Sequence, residues 1–117
     1  MKVGVLVQFT SKTDIEAKFT ELKELGVDSC QLVCWDRPTL HDDVMVEKIN
    51  KAIEKFGIRV TAFWCGWEGR RVWDFYEGQL TLGLVPTDYR IERMKMILEG
   101  SDFAKKIHVT DLATHVG

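Results

Sequence analysis

The chain has 117 residues, of which 45% are hydrophobic and 29% charged, enough apolar material for one compact α/β unit spanning 1–117. Its 16 Lys and Arg against 18 Asp and Glu leave a formal net charge of -2 and no basic stripe, which argues against nucleic acid and anionic membrane surfaces as partners. No stretch approaches the ~20 apolar residues of a membrane span. The opening Val3-Gly4-Val5-Leu6-Val7 lacks the regions of a signal peptide, so a cytoplasmic location is the expectation.

Apolar, β-branched runs at Val3–Phe9, Val27–Trp35, Ile58–Gly66 and Ile107–His115 predict four strands. Between the first two, Ile15, Phe19, Leu22 and Leu25 recur at helical spacing. Thr13-Asp14-Ile15-Glu16 opens this helix as a capping box and Gly26 closes it. Val44, Ile49, Ala52, Ile53 and Phe56 mark a second helix, with Asp42 and Asp43 at its positive end and Gly57 beyond its last turn. A third runs from Thr87-Asp88 to about Lys106, burying Tyr89, Met94, Ile97, Leu98, Phe103 and Ala104, with Gly100 a weak point in its middle.

The order β-α-β-α-β-α-β, with the joins Leu25-Gly26-Val27 and Phe56-Gly57-Ile58, predicts parallel strands linked by right-handed crossovers. The third join has His108 where the others have glycine. If each strand neighbours the last, all helices fall on one side and the other face of the sheet is left bare, which a soluble protein must cover. A closed barrel, a dimer of half-barrels and a doubly wound order each meet that need, and the pattern alone leaves all three open. Cys30, Cys34 and Cys65 fall in apolar runs without zinc spacing and read as reduced, packed thiols.

Function should concentrate after the third strand. Residues 67–86 show little periodicity, whereas a βα loop usually takes ~2–6 residues, and they are dense in aromatic and charged side chains. The loop leaves the C-terminal end of a strand, the face on which barrel active sites are built.

Gly83-Leu84-Val85-Pro86 followed by Arg90 and Arg93, then Phe103-Ala104-Lys105-Lys106 and the ending Thr114-His115-Val116-Gly117, resemble the sugar phosphate isomerase/epimerase family with the xylose isomerase-like TIM barrel. The resemblance covers the whole chain and implies the N-terminal half of a (β/α)8 barrel. It further implies a divalent metal (Mn, Mg, Zn or Co) and proton-shuttling carboxylates on strands five to eight. None of those positions lies in this chain, so catalytic residues, bound metal and proton-transfer activity are not expected of it alone.

What the chain can hold is half of a pocket for a small sugar or sugar phosphate. Strand ends nominate Gln8, Phe9, Trp35, Trp64 and Cys65, then Glu68 on the loop, and His115. Aromatic faces suit the apolar side of a sugar ring, although Trp35 and Trp64 equally suit core filling and Cys65 a packed thiol. His115 has the chemistry of a metal ligand, but a substrate-hydroxyl contact fits better because no second histidine ends the third strand. Arg70 and Arg71 offer planar donor pairs of the kind phosphate oxygens accept. His41 and His108 receive no role.

The rival reading is a self-contained α/β binding module or a self-associating scaffold without catalysis. A receiver domain is disfavoured by Gln8-Phe9-Thr10-Ser11 after the first strand, where acidic residues would hold magnesium. Nucleotide binding is disfavoured by the absence of a Gly-x-Gly-x-x-Gly or Walker sequence. Pairing with the second half of a barrel, or with another copy, is the partner expectation.

Overall fold

A computed structural model describes residues 3–117. The elements in chain order are β1 (Val5–Gln8), α1 (Ile15–Glu24), β2 (Ser29–Cys34), a 3-10 turn at Arg37–His41, α2 (Asp43–Phe56), β3 (Arg59–Cys65), the single turn α3 (Gly78–Thr81), α4 (Thr87–Lys106) and β4 (Leu112–Ala113). The strands form one sheet in the order β1-β2-β3-β4, every neighbouring pair parallel.

Side chains alternate across the sheet as the strand period requires. Val7 and Phe9, Cys30, Leu32 and Cys34, and Phe63 and Cys65 are buried on one face. They merge there with Phe19 of α1, Met45 and Ile49 of α2, and Met96 and Phe103 of α4 into a single core cluster. The opposite face carries Leu6, Gln8, Gln31 and Trp64, and among the described residues no helix lies over it. Consecutive strand order with every long helix in one cluster excludes the doubly wound arrangement and with it a self-contained receiver-like domain. The architecture is that of half a TIM barrel.

α1 is capped by Asp14, whose carboxylate accepts the Ala17 N–H at 3.0 Å, and not by a Thr13 capping box. Thr13 instead accepts the Thr10 N–H, tightening the turn after β1. Leu25 and Val44, expected on buried faces, point outward, and Met45 takes the inward position that Val44 was assigned. In α4 the buried stripe is Arg93, Met96, Gly100, Phe103 and Ala104. Met94 and Leu98 face outward with Ile91, while Tyr89 and Ile97 are half-buried.

The largest departure is the fourth strand. Ile107 caps α4 and Val109 N–H reaches back to the Ala104 carbonyl at 2.9 Å, so the first part of the predicted strand closes the helix. His108 sits at φ 59°, the left-handed conformation that Gly26 holds at φ 71°. The Val27 N–H bonds the Leu22 carbonyl as Val109 bonds Ala104, so both helices end in the same six-residue hydrogen-bonded loop. Only Leu112 and Ala113 then pair with β3.

Candidate functional site at the C-terminal end of the sheet

Gly66 follows Trp64 by two residues, so both look toward the open face. A Cβ at Gly66 would overlap the Trp35 indole, which shows that the Trp35 ring lies over the C-terminal end of that face. Trp67, fully buried, meets Trp35 edge-on with ring centroids 5.3 Å apart. Trp73 of the loop stacks on Trp67 at 6.4 Å. His115, just past β4, stands edge-on to Trp73 at 4.7 Å and to Trp64 at 5.1 Å. The Trp64 indole N–H donates to the Gln31 side-chain oxygen at 2.9 Å, tying the ring to β2 across the open face. Trp35, Trp64, Trp73 and His115 thus mark out a mouth running from the end of β2 to the end of β4, with the buried Trp67 ring behind Trp35 and Trp73.

The long loop is fixed over this mouth by Arg93. Its guanidinium is buried and donates to four carbonyls, those of Glu68 (3.1 Å), Arg70 (2.9 Å), Thr81 (2.8 Å) and Gly83 (2.6 Å). It lies 4.1 Å from the Trp67 ring centroid and 4.6 Å from that of Tyr89. Burial lowers its pKa, and among the described residues no carboxylate stands opposite it. Arg90 adds bonds to the Leu84 and Val85 carbonyls, and the Leu84 N–H meets the Val116 carbonyl at 2.7 Å. Thr39 ties the two preceding loops together: its hydroxyl accepts the Ser11 N–H at 2.8 Å and bonds Asp36.

The seven nominated residues separate by face. Gln8 is exposed on the open face, and Trp64 and His115 meet at the mouth with Trp35 at its edge. Phe9 and Cys65 lie on the other face. Phe9 packs against Phe63 and Phe103 in the core. Cys65 is buried against α4, with burial pushing its thiol up to about 12, which makes it a poor nucleophile. Cys30 and Cys34 are likewise buried free thiols, each pushed up to about 11.

Glu68 turns away, its carboxylate 4.0 Å from Arg37 on the helix side. There Arg37 makes two bonds to Glu99, at 2.8 and 2.7 Å, and His41 lies 3.2 Å from the same carboxylate. The Arg37 hydrogen bonds hold the Glu99 carboxyl down at about 2. His41 therefore joins Arg37 in contacting the Glu99 carboxylate, which links the 3-10 turn to α4.

Trp67, Trp73, Gln31 and Arg93 are site residues that strand-end reasoning misses. Gln31, an amide inside an otherwise apolar strand run, is the signal that could have marked the open face. Among the described residues no cluster of three or more His, Cys, Asp or Glu is arranged to hold a metal ion. At the mouth His115 stands among indoles while Glu68 is engaged elsewhere, so the side chains present do not fit a divalent cation by themselves.

No family model and no curated protein matches the chain. Among solved structures it resembles a xylose isomerase domain protein from Planctomyces limnophilus, with a TM-score of 0.81 and 23% identity over 98% of this chain. The match spans 40% of that protein's length. The likeness shows the fold: this chain has the architecture of half a xylose isomerase-like barrel, and its open face corresponds to the inside of a barrel.

Proposed function

We propose that the chain supplies the substrate-binding half of a sugar isomerase or epimerase barrel. The observation that carries this is the convergence of Trp64, His115 and Trp73 at the C-terminal end of the open face, beneath a loop held rigid by Arg93. Indole faces take the C–H side of a sugar ring, and the amides of Gln8 and Gln31 with the His115 imidazole suit its hydroxyls. Trp35 closes one side of the mouth. Glu68 contributes its main chain to the loop anchor and not its carboxylate to the sugar.

In this reading the divalent metal and the carboxylates that move the proton belong to a second half, and the chain alone binds sugar without converting it. The test is a titration of the 15N-labelled chain with aldoses and ketoses, following the indole N–H signals of Trp64 and Trp73 and the ring of His115. Selective, saturable shifts with millimolar affinity are the expected result. No shift at these residues across a panel of pentoses and hexoses would overturn the reading.

A second reading, a self-associating scaffold, is favoured by the exposed Leu6 on the uncovered face of the edge strand β1. The two are compatible, since pairing of half-barrels would also enclose the mouth.

A further inference from the structure

Helix α4 is apolar on two sides. Met96, Phe103 and Ala104 face the sheet, yet Ile91, Met94 and Leu98 on the far side are 63%, 46% and 66% exposed. These three belong to a longer run. Thr87, Ile91, Met94, Leu98, Ser101 and Lys105 follow one another at alternating spacings of four and three residues, and all six are exposed. Such a repeat keeps one seam of a helix turned toward a second helix along its length. The seam is apolar in its middle, small and polar at Thr87 and Ser101, and ends in a lysine.

Among the described residues no helix covers this seam. The flank of α4 toward α2 is already used: Asn50 donates to the Lys106 carbonyl at 3.1 Å, and Lys106 pairs with Asp43 at 2.6 Å. At ~100° per residue, the seam lies across the helix from Met96 and Phe103, on the outside of the helix layer. A second barrel half would extend the sheet from its edges and set further helices beside α4, which leaves that outer side in water. Charge then says which partner fits and which way round. Asp88 stands in the first turn of α4 and Lys105 in the last, and among the described residues neither has an ion-pair partner. A second α4 laid antiparallel brings Lys105 of each copy beside Asp88 of the other, and opposes the two helix dipoles. In that register Leu98 meets Met94 of the other copy and Ile91 meets Ser101. Parallel pairing would instead set Asp88 against Asp88 and Lys105 against Lys105.

We propose that α4 is a docking helix for a second copy of this chain. Two copies pair antiparallel through Ile91, Met94 and Leu98, with Asp88 and Lys105 exchanging ion pairs at the two ends of the contact. The surface is separate from the open face of the sheet and from the mouth, so it stays available when either is occupied. A contact between two helices of this length falls below the ~1,200 Å² of standard stable interfaces, so the pairing is weak and depends on concentration.

The test follows native mass against concentration by sedimentation equilibrium, in the full chain and in Leu6→Lys, which blocks association through the open face. Leu6→Lys should still form dimers as concentration rises. Adding Leu98→Glu should weaken that dimer about tenfold or more, because a carboxylate is then buried in the seam. Asp88→Lys and Lys105→Asp should each weaken it by about twofold to fivefold at low salt, and the double exchange should restore it. Both seam and end positions are exposed, so these variants keep the fold, which far-UV circular dichroism checks. A Leu6→Lys chain that stays monomeric at every concentration, or a dimer indifferent to Leu98→Glu, would overturn the proposal and leave pairing through the open face standing. Charge reversals that weaken the dimer without mutual rescue would overturn the antiparallel arrangement and with it the assignment of a second copy in this register.

Discussion

Gly100 of α4 faces Cys65 of β3 so closely that a Cβ on the glycine would overlap the cysteine Sγ. Helix and strand therefore meet through a thiol seated in a glycine notch. The glycine that weakens the helix by propensity is what allows it to approach the sheet.

Gly100→Ala should consequently destabilise the protein by about 1–3 kcal/mol through overpacking, against the gain of about 1 kcal/mol that helix propensity alone would give. Denaturant unfolding measures this. Combining it with Cys65→Ala should recover part of the loss, and purely additive effects would show that the two sites do not press on one another.

His108→Gly should stabilise the chain. Relief of a left-handed non-glycine residue, at about 1–2 kcal/mol, outweighs the added freedom of the unfolded chain, at about 0.4–1 kcal/mol. A rise in the thermal midpoint is the expected readout, and the corresponding Gly26→Ala change should lower it.

Arg93→Met should cost at least about 3 kcal/mol, because it strands several buried carbonyls and bonds to a charged donor contribute about 1.5–3 kcal/mol each. Limited proteolysis should then cut within 67–86 under conditions where the parent chain is resistant. Arg93→Lys should not rescue, since one ammonium cannot span four carbonyls arranged for a guanidinium.

Acid should loosen the 3-10 turn from α4. The Glu99 carboxyl is lowered from 4.5 to about 2 in the folded chain, so its contribution to stability is present above the unfolded value and is lost as pH falls through the interval from 4.5 to about 2. Glu99→Gln should flatten the stability profile in that interval and leave little further acid dependence from this network.

Native mass by light scattering addresses the uncovered face. An assembly of two or more copies is the expected outcome for the chain on its own, and Leu6→Lys should shift it toward 13.5 kDa. A parent chain that stays at 13.5 kDa would show that the face is tolerated in water.

Much of the fold is legible in the residues, for physical reasons that also explain the misses. Period-2 and period-3.6 apolar patterns, with Gly26 and Gly57 at helix ends, locate three strands and three long helices. A continuous apolar run does not reveal which parity faces the helices, so the helix-facing Phe9 and Cys65 are not told from Trp64 on the open face. Ile107 and Val109 are apolar because they close α4, and that made the fourth strand read too long. The sequence singles out Arg93 but not its buried role as a clamp, because charge ordinarily marks surface, whereas here carbonyls of the loop satisfy it. The mouth itself depends on contacts between residues as far apart as Trp73 and His115, which no local pattern encodes.

Every hydrogen bond of the Arg93 clamp goes to a main-chain oxygen atom, at Glu68, Arg70, Thr81 and Gly83. Every peptide offers that oxygen whatever side chain it bears. Apart from Trp67, whose ring lies against the guanidinium, and Gly83, where a Cβ would overlap Val116, the grip does not read the side chains of the loop, so those displayed between these two points can be exchanged as a cassette while the frame beneath stays fixed.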